Sequence, residues 1–257
     1  MARDRLFSRA IVRIVPTDPD EDAAQFLQGL VTNDVNGRLP VYAALLTAQG
    51  KMLFDFVVWP GSDGALLLDC EADAADDLVK RLSLYRLRRK LEISVDPALG
   101  VFWQAELDDA CPERPAVSAS RWGGAPDPRL ADLGQRWVAT ASNDDLSVDR
   151  EYLRHRLMLG VPEGRAELGD VLWLEANGAE LHGVSFAKGC YVGQENTARM
   201  NWRQKVNRRV LVVPIGCSDD ARRKVAHREF GFAIDHVRID ALDPALLPQW
   251  LERPDSG

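Results

Sequence analysis

The sequence has few residues of the types that build metal sites and disulfide frameworks. Its 257 residues include four cysteines and four histidines. The cysteines stand far apart and the histidines lack His-x-x-x-His spacing, so paired metal-ligand spacing is absent. Thiols scattered in this way through a long intracellular chain stay reduced. We therefore predict free cysteines and no metal site.

Long apolar runs and an excess of positive charge are also missing. No apolar stretch approaches the roughly 18–20 residues that span a bilayer, and no signal peptide is apparent at the N-terminus. The formal net charge of −7 argues against a dedicated nucleic-acid binder. These features predict a cytoplasmic protein that works without a membrane.

What the sequence does contain is typical of a globular α+β protein, with 46% apolar and 28% charged residues. Alternation and apolar spacing predict both strands and helices. Asp18, followed by Pro19, is expected to cap the first helix. The predicted strands are 9–15, 41–47, 51–59, 65–70, 91–95, 136–140, 208–215 and 232–239, with a strand-like run at 172–177. The predicted helices follow Asp18 and cover 74–84, 147–159 and 246–251. This order favours an α+β sheet with helices on one face.

The most informative segment runs from Lys188 to Glu195, Lys-Gly-Cys-Tyr-Val-Gly-Gln-Glu. Its glycines, Gly189 and Gly193, suit a backbone that approaches a ligand or adopts positive φ. A thiol beside a cation is deprotonated more readily, and the thiolate is the reactive form, so Cys190 beside Lys188 is a candidate nucleophile. The alternative is that Cys190 packs as a small apolar residue.

A basic segment, 199–209, follows this motif and contains Arg199 and Trp202. It has three interpretations: a solvated surface, a site for the glutamate tail of a folate, or a contact with an RNA backbone. Trp202 either packs against the core or stacks on a ring. Because the whole chain is acidic, nucleic acid ranks below folate as a partner.

The motif Phe186–Glu195 looks like the signature of the YgfZ-type folate-binding proteins, which are relatives of the glycine-cleavage T-protein. Further blocks that resemble this family, in the same order, are 26–35, 44–56, 85–93, 160–164 and 174–176. The resemblance implies two related α+β halves with mainly antiparallel sheets around a central cavity, followed by a shortened C-terminal β-barrel-like unit. The corresponding domains are 1–110, 111–207 with the motif, and 208–257.

The resemblance also implies tetrahydrofolate, or a derivative, as the cofactor. Cys190 and Lys188 are then the predicted reactive pair. Glu175 is the first candidate for folate binding, because a glutamate in a similar Leu-Glu-Ala context lies in the T-protein's folate cavity and a carboxylate can accept two parallel N–H bonds from a pterin. The other predicted cofactor-binding residues are Glu195, Gln194, Tyr191, Gly189, Gly193, Arg199, Asn33, Asp34 and Asp55.

Several of these residues have plain structural alternatives. Glu175 and Asp55 could face solvent on a strand, and Asn33 and Asp34 could form the turn after a helix. A Cys190–His182 dyad has no support in the family pattern, and a surface histidine is the alternative.

The resemblance favours a tetrahydrofolate-binding accessory protein that supports iron–sulfur cluster assembly or repair in client enzymes, with Cys190 as the essential thiol. Its partners would be folate and iron–sulfur client or assembly proteins. One alternative is a folate-dependent aminomethyltransferase or demethylase. A second is a tRNA- or protein-binding module that uses residues 199–209.

Overall fold

A computed structural model describes residues 3–105, 124–202, 206–241 and 243–251. The chain divides into two compact units. The first contains Met1–Gln28, Val35–Tyr42 and Phe56–His155, and the second contains Gly29–Asp34, Ala43–Asp55 and Arg156–Gly257. The three predicted domains, 1–110, 111–207 and 208–257, stay a prediction. Much of the proline- and glycine-rich stretch 111–128, including Cys111, lies outside the described residues.

Strands and helices both occur throughout the described chain. The strands are β1 Asp4–Leu6, β2 Arg9–Pro16, β3 Val41–Leu46, β4 Met52–Pro60, β5 Leu66–Glu71, β6 Leu91–Val95, β7 Leu99–Gln104, β8 Ala125–Pro126, β9 Gln135–Thr140, β10 Leu146–Ser147, β11 Arg208–Pro214, β12 Arg223–His227 and β13 Phe232–Arg238. The α-helices are α1 Ala23–Gln28, α2 Ala75–Arg86, α3 Asp149–Met158, α4 Gly164–Leu168 and α5 Gln194–Trp202. No described helix is long and apolar enough to span a bilayer.

The strands form three mainly antiparallel sheets, with orders β10-β1-β7-β9-β8, β3-β4-β5-β2-β6 and β11-β13-β12. One pair, β1 with β10, is parallel. In the first unit β2 lies between β5 and β6, and Ile11, Val12 and Ile14 on this strand are fully buried. Helix α2 buries Ala75, Leu78 and Leu82, which recur at helical spacing along one face.

The C-terminal part of the second unit is an open three-stranded sheet. Strand β13 pairs with β11 on one side and β12 on the other. Its core contains Leu211, Val213 and Ala233, covered by Leu251. The described residues after β11 therefore form a small sheet and no closed barrel.

Most of the predicted strands and the helices 74–84 and 147–159 are confirmed with small changes at their ends. The first helix starts later than predicted. Asp22, and not Asp18, accepts hydrogen bonds from Ala24 N and Gln25 N at 2.8 and 3.1 Å, which is the N-cap arrangement.

Two other local predictions are wrong. The run 172–177 is a series of turns, in which Asn177 has φ of 62° and therefore interrupts any strand. The predicted helix 246–251 is only a single turn, Pro244–Leu246, followed by irregular chain. Helix α5 was not predicted, because residues 194–202 show polar composition without a clear apolar stripe.

Candidate functional site

The reactive motif forms a loop that leads directly into α5. Cys190 lies on this loop, outside any helix or strand, and is exposed. A turn closes the loop, since Gln194 N donates to Tyr191 O at 3.2 Å and Tyr191 N donates to the Gln194 side chain at 3.3 Å. The thiol is therefore presented to solvent, and packing in a core does not explain it.

Gly193 is required by its backbone conformation and by its surroundings. Its φ is +81°, and a β-carbon there would overlap the carbonyl oxygen of Thr47 and lie 3.0 Å from the Leu46 side chain. Gly50, at the tip of the β3–β4 hairpin, also has positive φ and faces the carbonyl of Gly193. Asn196 Nδ2 donates to Gln49 O at 2.6 Å, so the hairpin tip packs against the start of α5.

Gly189 is placed differently. A β-carbon at this position would meet nothing within 4 Å, and its φ is not in the left-handed region. Neither folding strain nor internal packing therefore demands glycine beside Cys190. The space around Gly189 is open.

Lys188 lies half-buried behind the loop. Its Nζ donates to the carbonyl oxygen of Val31 at 2.6 Å and lies 5.0 Å from the centre of the Tyr191 ring. Burial lowers the pKa of Lys188 to about 8, and the nearby charge of Asp34 opposes that shift. Lys188 therefore fixes the loop to the 31–34 segment. With a pKa of about 8, its amine titrates near neutral pH.

Tyr191 is the buried anchor of the motif. Its side chain is 8% exposed, and burial raises the pKa of its hydroxyl despite a hydrogen bond from Thr197. Thr197, one turn into α5, is 2% exposed. Lys188 and Tyr191 thus hold the loop in place while Cys190 stays free of the core.

Glu175 lies on the turn segment 172–182 and is 8% exposed, so it is not an acid on a solvated strand face. Its Oε2 is 2.9 Å from Nε2 of His236 on β13. Among the described residues Oε1 has no hydrogen-bond partner. One carboxylate oxygen is therefore oriented by the protein, and the other is available to a ligand.

The C-terminal sheet holds the Glu175 segment in place. Val210 N donates to Glu175 O at 2.9 Å, and Asn177 Nδ2 donates to Val210 O at 2.8 Å. Arg209 donates to the carbonyl of Leu174 at 3.0 Å and pairs with Glu180. Because both the turn and β11 donate some of these bonds, the backbone at Glu175 is held in a fixed position against β11.

Glu195 and Arg199 occupy an exposed face of α5. They form an i,i+4 ion pair of 2.7 Å, with side chains 77% and 67% exposed, respectively. Such a pair contributes little stability and is screened by salt. Trp202, at the end of the helix, is 89% exposed, so it does not pack against the core. Residues 203–205 of the basic segment lie outside the described residues.

The remaining predicted site residues lie in the same unit. Asn33 Nδ2 donates to the carbonyl of His182 at 2.7 Å, and Asn33 Oδ1 accepts from Asp34 N at 2.9 Å. His182 is exposed with φ of 54°. Asp55 is 2% exposed on β4 and so does not face solvent.

The structure brings Lys188, Tyr191 and Asp34 together, and it joins Glu175 to His236. The sequence analysis missed His236, Thr197 and Gly50. Nothing in the sequence marks His236 as the partner of a carboxylate 61 positions away.

Across residues 3–105, 124–202, 206–241 and 243–251, no group of three or more His, Cys, Asp or Glu residues is arranged to hold a metal ion.

The chain resembles known proteins in sequence and in fold. No protein-family model matches it. It is 34% identical over 233 residues to "Iron-sulfur cluster assembly factor IBA57 homolog, mitochondrial" of Neurospora crassa, covering 80% of this chain and 52% of that protein. It is 34% identical over 237 residues to "Iron-sulfur cluster assembly factor IBA57, mitochondrial" of Homo sapiens, covering 81% and 65%. The chain thus spans half to two thirds of the length of these curated relatives.

Its fold is similar to the crystal structure of glycine cleavage system aminomethyltransferase T from Bartonella henselae. The TM-score is 0.64, and the match covers 93% of this chain and 80% of that chain at 12% identity. The chain has the fold of this aminomethyltransferase. The predicted α+β class with mainly antiparallel sheets is therefore confirmed, as is the likeness to the T-protein. The narrower YgfZ-type resemblance stays a prediction.

The comparison with sequence relatives contradicts the predicted cytoplasmic location. The curated relatives from Neurospora crassa, Homo sapiens and Mus musculus are all named as mitochondrial proteins. The prediction depended on apolar runs and on the N-terminal residues, and neither feature reports the compartment in which such proteins work.

Proposed function

We propose that this protein is a tetrahydrofolate-binding accessory factor that supports the assembly or repair of iron–sulfur clusters, with Cys190 as its essential thiol. The observation that carries the proposal is the exposure of Cys190 on a loop whose neighbours are anchored. The similarity to proteins named as iron–sulfur cluster assembly factors supports the biological role. The fold of an aminomethyltransferase supports the folate part.

The residues around Glu175 suit a reduced folate. A pterin presents adjacent N–H donors, and a carboxylate with one unpaired oxygen can accept from them. His236 keeps the side chain of Glu175 in one orientation, which lowers the entropy lost when a ligand binds. When bound, the folate would supply a carrier for one-carbon groups, and the protein would supply binding and orientation.

The residues around Cys190 suit a thiol that reacts with a partner. The thiolate form of a cysteine is both the nucleophile and the metal-binding form. Lys188 is fixed two residues away by its bond to Val31. Because Cys190 is exposed on its loop, a cluster-bearing protein can approach the sulfur.

The chain offers a matched pair of cysteines for a test. Cys190 and Cys217 are both free and exposed, while Cys70 is buried. Cells that lack the protein and carry Cys190→Ala should fail to recover the activity of iron–sulfur enzymes, whereas Cys217→Ala should restore it fully. Protein levels measured in the same cells separate loss of function from loss of folding. Full rescue by Cys190→Ala would refute the role of this thiol.

The fold gives one alternative specific support, because the structural neighbour is itself an aminomethyltransferase. A folate-dependent aminomethyltransferase would transfer the methylene group of an aminomethyl donor to tetrahydrofolate and release the amine nitrogen as ammonia. Assay of the purified protein for 5,10-methylenetetrahydrofolate formation distinguishes the two functions. Turnover that persists in Cys190→Ala would favour the transferase.

A further inference from the structure

The strands that end the three sheets differ in how their outer sides are protected. Strands β8 and β10 have only two residues each, and β12 has a bulge and carries Lys224. The outer sides of β3 and β11 are bonded by Thr32 and by the 175–177 turn, respectively. Short length, bulges, lysine and covering chain are means by which sheets avoid pairing with other chains.

Strand β6, in the first unit, ends its sheet without these protections. It pairs with β2 in one unbroken register, and its five residues, Leu91–Val95, include neither proline nor lysine. Among the described helices and strands it packs mainly against β2 and α2. Glu92 is exposed, and Ile93 and Val95 are partly exposed. Within the described residues, the outer side of β6 is therefore not covered by another strand.

The hydrogen bonds at the two ends of β6 show which of its backbone groups face outward. Thr17 N donates to Lys90 O at 2.8 Å, and Asp96 N donates to Ile11 O at 2.8 Å. Successive residues of a paired strand direct their backbone groups to opposite sides. The even-numbered residues of 90–96 therefore bond to β2, and the odd-numbered residues turn their N–H and C=O groups away from it.

Most of these outward groups have no partner. Arg86 Nη1 donates to Leu91 O at 2.9 Å, at the start of the strand. The outward N–H and C=O groups of Ile93 and Val95 make no hydrogen bond among the described residues. They form a row of donors and acceptors to which an added strand can bond.

We propose that β6 pairs with β6 of a second copy of this protein in antiparallel orientation. In this pairing Ile93 lies opposite Ile93 of the second copy, and Leu91 lies opposite Val95. Each opposed pair exchanges two hydrogen bonds, and the carbonyl oxygen of Leu91 has a second lone pair for its share. The two-fold arrangement closes at two chains. This inference depends neither on folate binding nor on Cys190.

The charges of β6 select this register. It places Lys90 opposite Asp96 of the second copy, and Glu92 opposite Ser94. Sliding the pairing by two residues in one direction places Glu92 opposite Glu92, and in the other direction it places Glu92 opposite Asp96. Like charges directly opposite each other destabilise a strand pair. Because this match is a property of the strand with itself, it favours a second copy over an unrelated strand.

The pairing should be weak. Five paired residues bury less than the roughly 1,200 Å² of total surface that a stable interface needs. We therefore expect a dimer that forms at high micromolar concentration and dissociates on dilution.

Substitution of Ser94 tests the register directly, since a charge there faces Glu92 of the second copy twice in the dimer. Ser94→Lys should tighten association by roughly fivefold, and Ser94→Glu should weaken it by roughly fivefold. Within the sheet Ser94 lies opposite Arg13, so the acidic variant should not lower the Tm of the monomer. Loss of association in Ser94→Glu is thereby separated from loss of folding. Ser83→Lys and Ser83→Glu, at an exposed serine on α2, are the controls and should associate as wild type does.

Sedimentation equilibrium at micromolar to millimolar protein concentrations measures the association. Amide hydrogen exchange of residues 91–95 should slow as the concentration of wild type rises, because the outward N–H groups become bonded. The proposal is overturned if wild type stays monomeric, or if it dimerises without protecting these amides. It is also overturned if Ser94→Lys weakens association or if Ser94→Glu leaves it unchanged.

Discussion

Two charged regions of the molecule use their charges in opposite ways. In the first unit Asp69 accepts from Arg9 Nε at 2.6 Å and from Arg136 Nη1 at 2.8 Å, and all three side chains are buried. In the second unit the motif around Cys190 keeps its thiol exposed and pairs Glu195 with Arg199 across the helix surface.

The buried network extends beyond Asp69. Asp127 accepts from Arg129 at 2.7 and 2.9 Å, and the Tyr152 hydroxyl accepts from both Arg129 and Arg136. Burial by itself raises the pKa of Asp127, but the Arg129 and Arg136 guanidinium groups outweigh it and hold that pKa below its ordinary value. The charges of this network therefore pair with one another inside the fold.

The difference separates charges that specify structure from groups that remain available for chemistry. A buried ion pair whose partner is removed leaves an uncompensated charge in a medium of low polarity. An exposed pair loses little when it is broken, because water replaces the partner. We therefore expect stability to respond to the first region and function to respond to the second.

The largest expected effect comes from the buried network. Asp69→Asn should lower the free energy of unfolding by about 3–5 kcal/mol, because Arg9 and Arg136 would each lose a buried carboxylate partner, although Arg136 keeps its pair with Asp127. Glu195→Gln, which breaks the exposed pair on α5, is the control and should change it by less than about 0.5 kcal/mol. Urea unfolding measures both. If Asp69→Asn and Glu195→Gln changed the free energy of unfolding equally, the buried network would not contribute more to stability than the exposed pair.

A smaller effect on stability is expected at one position of the motif. Gly193→Ala should cost about 2 kcal/mol, since alanine is strained at positive φ and its β-carbon overlaps Thr47 O. Gly189→Ala is the matched control, because its β-carbon meets nothing within 4 Å, and it should cost less than about 0.5 kcal/mol. Thermal unfolding of both variants tests the arrangement. A Gly193→Ala protein as stable as wild type would show that the loop does not pack on the hairpin.

The last effect on stability is the pH dependence at Lys188, which is half-buried, so that solvent screens part of it. Its folded-state pKa of about 8 lies below the ordinary value of 10.5, so the unfolded chain binds more protons between these two pH values. The stability of wild type relative to Lys188→Met should therefore rise as pH increases through this window and stay constant below it. The stability of wild type relative to Lys188→Arg should also rise, because a guanidinium stays charged throughout this pH window. A flat difference against both variants would mean that the amine is not buried.

The sequence predicted most of the fold because its apolar patterns are local. Strand β2 is a short apolar run from Ala10 to Val15 interrupted only by Arg13, and α2 repeats Leu78 and Leu82 at helical spacing, so each could be recognised from its own residues. The turns around Asn177 were missed because an apolar run of that length also fits a strand. Helix α5 was missed because its one buried residue is Thr197.

The candidate site was only partly predictable for a related reason. The glycines and Cys190 stand together in the sequence, and the positive φ of Gly193 agrees with the conformational freedom expected of it. The contacts that orient the site join distant residues, such as Lys188 with Val31 and Glu175 with His236. No local pattern encodes such pairs. Only the folded chain reveals them.

Titration of tetrahydrofolate into the purified protein, followed by isothermal calorimetry, tests the central claim most directly. We predict saturable binding that Glu175→Gln weakens by about tenfold or more, since a hydrogen bond to a charged group is lost. Glu151→Gln, an exposed carboxylate on α3, should bind as wild type does. Absence of saturable binding with both monoglutamyl and polyglutamyl folates, or equal affinity in Glu175→Gln, would contradict the account.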